Sequence, residues 1–140
     1  MTDRPIALVT GGSRGIGASV ATALAETHHL LLAGRDAEAL RTVAGGLPSA
    51  RPLPVDLTDT AALRDAVAEL STVDVLVHSA GAGDIAPLEQ SSAELWRRVL
   101  EINVVAVAEL TRLLLPALRA ASGHVVLINS GQGIDRKSVV

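Results

Sequence analysis

The chain contains no cysteine, tyrosine or phenylalanine, and only one tryptophan (Trp96) and one lysine (Lys137) in 140 residues. The lack of cysteine excludes disulfides, a thiolate nucleophile and Cys-ligated zinc. The lack of tyrosine removes a common proton donor of enzyme sites. Long apolar runs are also missing: Val104–Ala108 runs into Glu109, and Leu113–Leu118 follows Arg112, so no stretch reaches the length of a spanning helix. The opening residues, Met1-Thr-Asp-Arg-Pro5, do not have the build of a signal peptide. A soluble, cytoplasmic protein without a membrane partner is expected. The net charge of −3 and pI of about 5.7 give no basic excess for nucleic acid. No histidines show metal-ligand spacing, since His28 and His29 are adjacent and His124 begins a strand, and no metal is expected.

What is present is a globular composition, 49% hydrophobic and 19% charged, at a length suited to one domain. Short apolar runs at Ile6–Thr10, His29–Ala33, Val73–His78 and His124–Asn129 read as strands, with a weaker edge strand at Pro52–Val55. Between them lie helical patterns: Gly15–Glu26; Asp36–Ala44, with Asp36 as N-cap; a helix capped by Thr58 or Asp59 and running to Leu70; and a long helix from Ser91 or Ser92 to about Ala121. Pro116 is expected to kink or loosen that helix, and Gly123 to end it. Alternating strands and helices imply an α/β fold, a Rossmann-type doubly wound parallel sheet covered on both faces. In such sheets ligands bind beyond the carboxyl ends of the strands. The residues there are Gly11–Gly17, Gly34-Arg35, Asp56-Leu57, His78–Gly81 and Ser130.

Thr10-Gly-Gly-Ser-Arg-Gly-Ile-Gly17 joins the first strand to the first helix. A helix N-terminus offers unpaired N–H groups and a partial positive charge to phosphate. Gly11 permits a tight turn, Gly15 lets a pyrophosphate approach the backbone, and Gly17 lets the helix pack close to the sheet. A glycine-rich turn without a ligand is the plainer alternative. Asn103 is a poor interior helix residue, which marks it for function or for a polar contact between helices. His78 alone reads as a structural, hydrogen-bonded histidine, and Ser130 reads equally as a turn residue.

The Thr-Gly-x-x-x-Gly-x-Gly spacing, with Ala80-Gly81, Asn103 and Ser130 in order behind it, resembles the classical short-chain dehydrogenases/reductases from Pro5 to about Ile134. The resemblance implies NADP(H)- or NAD(H)-dependent interconversion of a carbonyl and an alcohol, in an enzyme expected to be a homo-oligomer. It places Gly11, Ser13, Arg14, Gly15, Ile16 and Gly17 around the cofactor phosphates, Asp56 and the Leu57 backbone at the adenine, and Ser79, Ala80 and Gly81 along a ribose. Arg14 and Arg35, with Gly34 where NAD-dependent members carry an acid, resemble the pattern preferring NADP(H) over NAD(H). Two solvated arginines are the alternative. Ser130 matches the catalytic serine that bonds the substrate oxygen, and Asn103 the helix asparagine that holds a water and supports a local helix distortion. His78-Ser79 departs from the family's Asn-Asn.

The family's chemistry also needs a Tyr-x-x-x-Lys helix, which this sequence does not have; Gly133 stands four residues before Lys137. The chain is therefore expected to be the cofactor-binding half of such an enzyme and inactive alone, with a non-catalytic NADP-binding module and a nonfunctional gene fragment as rivals. Residues 1–134 form the expected domain. Asp135-Arg-Lys-Ser-Val-Val140 reads as a foreign tail, since GATCGGAAGAGCGTCGTG, the start of a common sequencing adapter, translates to those six residues, with a natural truncation or a frameshift as the rival. On that reading Val125–Asn129 is left as an apolar sheet edge, prone to aggregation.

Overall fold

The structure, a computed structural model, describes residues 4–83 and 86–130. The proposed tail and Lys137 lie outside the described residues. Five strands, β1 (Ile6–Thr10), β2 (His29–Gly34), β3 (Ala50–Pro54), β4 (Val75–His78) and β5 (His124–Leu127), form one parallel sheet in the order β3-β2-β1-β4-β5. The winding reverses at β1, so the crevice between the carboxyl ends of β1 and β4 is the switch point. No helix among the described residues is long and apolar enough to cross a membrane.

Period-two alternation splits the strand residues between two cores. Leu8, Leu31, Ala33 and Leu76 face α3 (Thr60–Val67) and α5 (Ala106–Ala121), against Leu63, Val67, Leu110, Leu114 and Leu118. Ala7, Val9, Leu30, Leu32 and Val77 face the other way, with Ala21 of α1 (Gly15–Leu24) and Leu40 and Ala44 of α2 (Ala37–Gly45). Continuous apolar strands follow from burial on both faces.

Local chemistry sets the boundaries. Asp36 caps α2 through Ala39 N–H, and Asp59 rather than Thr58 caps α3 through Ala61 and Ala62 N–H. Ser92 rather than Ser91 caps α4 (Ala93–Leu100) through Leu95 N–H. The long helix is continuous through Pro116, and its irregular turn lies upstream, a π-helical segment at Glu101–Val105. It ends at Ala121, before Gly123 as expected. Ser122 takes the left-handed conformation (φ 51°), while Gly123 is required by close approach, since a Cβ there would run into the Val73 carbonyl.

The expectation of a sheet covered on both faces fails at β5. Among the described residues β5 pairs only with β4, and Val125–Ile128 are 40–56% exposed. The opposite edge, β3, carries Pro52 and Pro54, which lack the N–H groups a further strand would need. Among the described residues the anticipated apolar edge is thus present, and it is the one without prolines. Replacing Val126 with lysine is expected to raise the concentration at which the chain stays monomeric, measured by light scattering across a dilution series. Equal self-association of both forms would show that the edge is not the cause.

Candidate functional site

The site is built where β1 and β4 end. Thr10 is buried, and its Oγ1 accepts hydrogen bonds from the N–H groups of Ser79 and Ala80, each at 3.1 Å, while facing the Val77 carbonyl at 3.4 Å. This hydroxyl ties the loop after β4 to the end of β1. Sequence reasoning assigned it no role, although a buried polar residue closing an apolar strand must find partners. Gly11 (φ 65°) passes so close that a Cβ would stand 2.9 Å from Ala80 Cα and N. Ala33 O accepts from Gly11 N–H (2.9 Å) and Gly12 N–H (3.4 Å), holding the turn to β2.

Gly17 seats α1 on this turn, because a Cβ there would run into the Gly11 carbonyl. Gly15 has φ 55° and nothing within 4 Å of its Cβ position, so its face is open. Arg14 is the extended N-cap residue of α1, with no side-chain cap, and the first turn holds no acidic residue. Ser13 is half-buried, and Arg14 and Ile16 are exposed beside the same opening. Uncapped N–H groups, the positive end of the helix dipole and an open glycine face together fit an anionic group such as phosphate.

Arg35 follows β2 and is exposed. Asp56 does not cap α3; its Oδ1 accepts from Thr58 N–H (2.9 Å) and Thr58 Oγ1–H (2.8 Å). These bonds, backbone first, hold its carboxyl below the usual carboxylate range, with the nearby Arg35 cation adding to them and partial burial opposing. The Leu57 side chain is buried in the core, which leaves its backbone as the part able to face a ligand.

Asn103 sits in the π segment, where Ala106 N–H bonds to Glu101 O. Its Nδ2 donates to Ala82 O (2.6 Å) and Val99 O (2.8 Å), and its Oδ1 accepts from Ala82 N–H (3.3 Å). Gly81 makes room for this, since a Cβ there would lie 2.8 Å from Asn103 Oδ1. The polar misfit in the helix is thus a clamp on the loop after β4. Beside it lies a cavity of about 180 Å³ lined by His78, Ala80, Asn103, Val107 and Leu127–Asn129. Ser130 directly follows, beyond the carboxyl end of β5. His78 is 4% exposed and 2.9 Å from Thr111 Oγ1 through Nε2, the structural histidine expected. Among the described residues there is no cluster suited to a metal.

The loop thus brings Gly11, Ser13–Gly17 and Ser79–Gly81 to one crevice, with Asn103 clamped to its far wall. Arg35 and Asp56 lie together on the β2–β3 side, and Ser130 on the β5 side.

Two outcomes follow from this geometry. Gly17→Ala is expected to cost about 1–3 kcal/mol of stability by forcing helix and loop apart, measured by urea unfolding. An unchanged midpoint would show that the contact relaxes freely. Burial also holds the His78 pKa below its ordinary value of 6.5. The unfolded chain then binds more protons, so the stability from neutral His78 is complete above about pH 6.5 and is lost as pH falls through the folded pKa. Unfolding free energy is expected to decline from about pH 7 to pH 5; His29, held low as well by burial and by Arg51, shares in this, and a decline made shallower in His78→Gln identifies the His78 part.

Residues 5–140 match the short chain dehydrogenase family. The chain is 38% identical to the rhamnolipids biosynthesis 3-oxoacyl-[acyl-carrier-protein] reductase of Pseudomonas aeruginosa, over 93% of this chain and 56% of that protein. It is 42% identical to the cis-4-hydroxycyclohexanecarboxylate dehydrogenase of Sinomonas cyclohexanicum, over 89% and 54%. The L-sorbose reductase of Gluconobacter frateurii, solved with NADPH and L-sorbose, superposes with a TM-score of 0.81 at 28% identity, over 89% of this chain and 51% of that one. The chain spans about half the length of the relatives it matches. With the family match running from Pro5 onward over a parallel sheet wound about its glycine loop, the chain belongs to the short-chain dehydrogenase family.

Proposed function

We propose that the chain is the cofactor-binding half of an NADP(H)-dependent oxidoreductase that interconverts a carbonyl and an alcohol. The observation carrying this reading is the uncapped, glycine-lined N-terminus of α1 at the sheet's switch point, flanked by Arg14 and with Arg35 at the neighbouring strand end. The N–H groups of this turn bind the pyrophosphate, and Gly15 leaves them accessible. Arg35 and Arg14 hold the 2′-phosphate of the adenosine ribose by charge-assisted hydrogen bonds. Asp56 and the Leu57 backbone receive the adenine, and the Ser79–Gly81 backbone runs along the second ribose. The bound nicotinamide supplies or accepts hydride.

Ser130 is assigned to the substrate oxygen and Asn103 to the geometry of the loop it clamps. No tyrosine is present to transfer the proton. The 140-residue chain is therefore expected to bind cofactor without turning over a carbonyl. That outcome also distinguishes a binding half from a gene remnant, which would neither fold nor bind.

Calorimetric titration with NADPH and NADH is the test. NADPH is expected to bind more tightly. Arg35→Ala is expected to weaken NADPH by about tenfold, equivalent to ~1.4 kcal/mol, while leaving NADH within about twofold. Equal losses for both nucleotides would overturn the 2′-phosphate role, and binding of neither by the folded chain would overturn the reading. Sequencing the source DNA across codon 134 tests the expected tail, since a frame continuing into Tyr-x-x-x-Lys would identify Asp135–Val140 as foreign.

A further inference from the structure

His78 stands where the family pattern has asparagine, and its ring does more than fill space. Thr111 Oγ1 donates its one proton to Val107 O at 2.8 Å, so toward His78 it is an acceptor. The imidazole proton is thereby placed on Nε2, and Nδ1 carries a lone pair. Burial holds the ring neutral near pH 7, and no charged residue contributes to that shift. Across the elements packed around it, β1 presents Thr10, β5 presents Leu127, the π segment presents Asn103, and α5 presents Val107 and Thr111, none of which ionises.

Nδ1 has no hydrogen-bond partner from the described residues, yet no fully enclosed side-chain nitrogen or oxygen among them lacks a partner. The atom therefore keeps accessible surface, and His78 lines the cavity of about 180 Å³ shared with Ala80, Asn103 and Asn129. Both Nδ2 protons of Asn103 are already committed, to Ala82 O and Val99 O. The neighbouring asparagine therefore has no proton to offer the imidazole.

We infer that His78 Nδ1 is a built acceptor in this cavity and holds a small, uncharged O–H donor there, a water or the hydroxyl of a bound small molecule. The void has room for either, a water occupying roughly 30 Å³ of liquid. The inference does not rest on the proposed cofactor and is tested on the free chain.

The experiment is long-range ¹H–¹⁵N correlation of the imidazoles in the ¹⁵N-labelled chain. Four histidines give four ring systems. Single substitutions of His28, His29 and His124 by glutamine identify the His78 signals by elimination, so His78 itself stays intact. The expected pattern near neutral pH is an Nε2–H tautomer with the Nδ1 resonance displaced from the free-acceptor position, which makes water the donor. A further displacement on adding 2-propanol, and none with acetone, assigns the place to a ligand hydroxyl, because the two probes differ in their O–H donor. An Nδ1–H tautomer would overturn the proposal. So would an Nδ1 at the free-acceptor position both with and without 2-propanol.

Discussion

The narrow passage between two chain segments at the ends of β1 and β4 governs the rest of the site. Thr10 Oγ1 holds two N–H groups of the loop after β4, and Gly11 crosses that loop with no space for a Cβ. A hydroxyl can serve two N–H donors because its oxygen carries two lone pairs. The consequence is that the glycine turn and the Ser79–Gly81 segment are positioned together as one wall. α1 is seated on this wall by Gly17, and the wall is fixed at its other end by the Asn103 amide. The crevice is therefore backbone architecture, with side chains mostly holding backbone in place.

The sequence disclosed most of the scaffold, because β1, β2, β4 and β5 are short, mostly apolar runs and the caps of α2, α3 and α4 are short polar residues. Asp36 shows how such a local signal survives folding: its cap needs only its own first turn. The ambiguous caps were ambiguous for the same reason, as Thr58 and Asp59, or Ser91 and Ser92, offer equivalent oxygens one residue apart. Deciding between them takes the exact phase of the helix. Asn103 was legible as a misfit, but its partners on the loop after β4 lie about twenty residues back in the chain. Long-range contacts of that kind leave no mark in spacing.

What local signals left incomplete shares a cause. Gly123 was legible as the end of the helix, but not that its missing side chain makes room for the Val73 carbonyl while Ser122 bears the left-handed torsion. Pro116 was expected to kink or loosen the helix, and the helix packed along one face by Leu110, Leu114 and Leu118 runs unbroken through its missing N–H. Thr10 was passed over because its partners are the backbone of a distant loop. In each case tertiary packing settled what a local preference left open.

The two borders of the sheet differ in kind. β3 ends in prolines that refuse another strand, whereas among the described residues β5 presents a continuous ladder of backbone groups beneath exposed valine and leucine. A sheet so built can be extended in one direction only. Two such molecules meeting border to border would exhaust each other's capacity for further pairing, leaving a sheet closed by proline at both extremes. Ordered growth through strands is thereby limited to a pair, and an indefinite fibre would require some other surface.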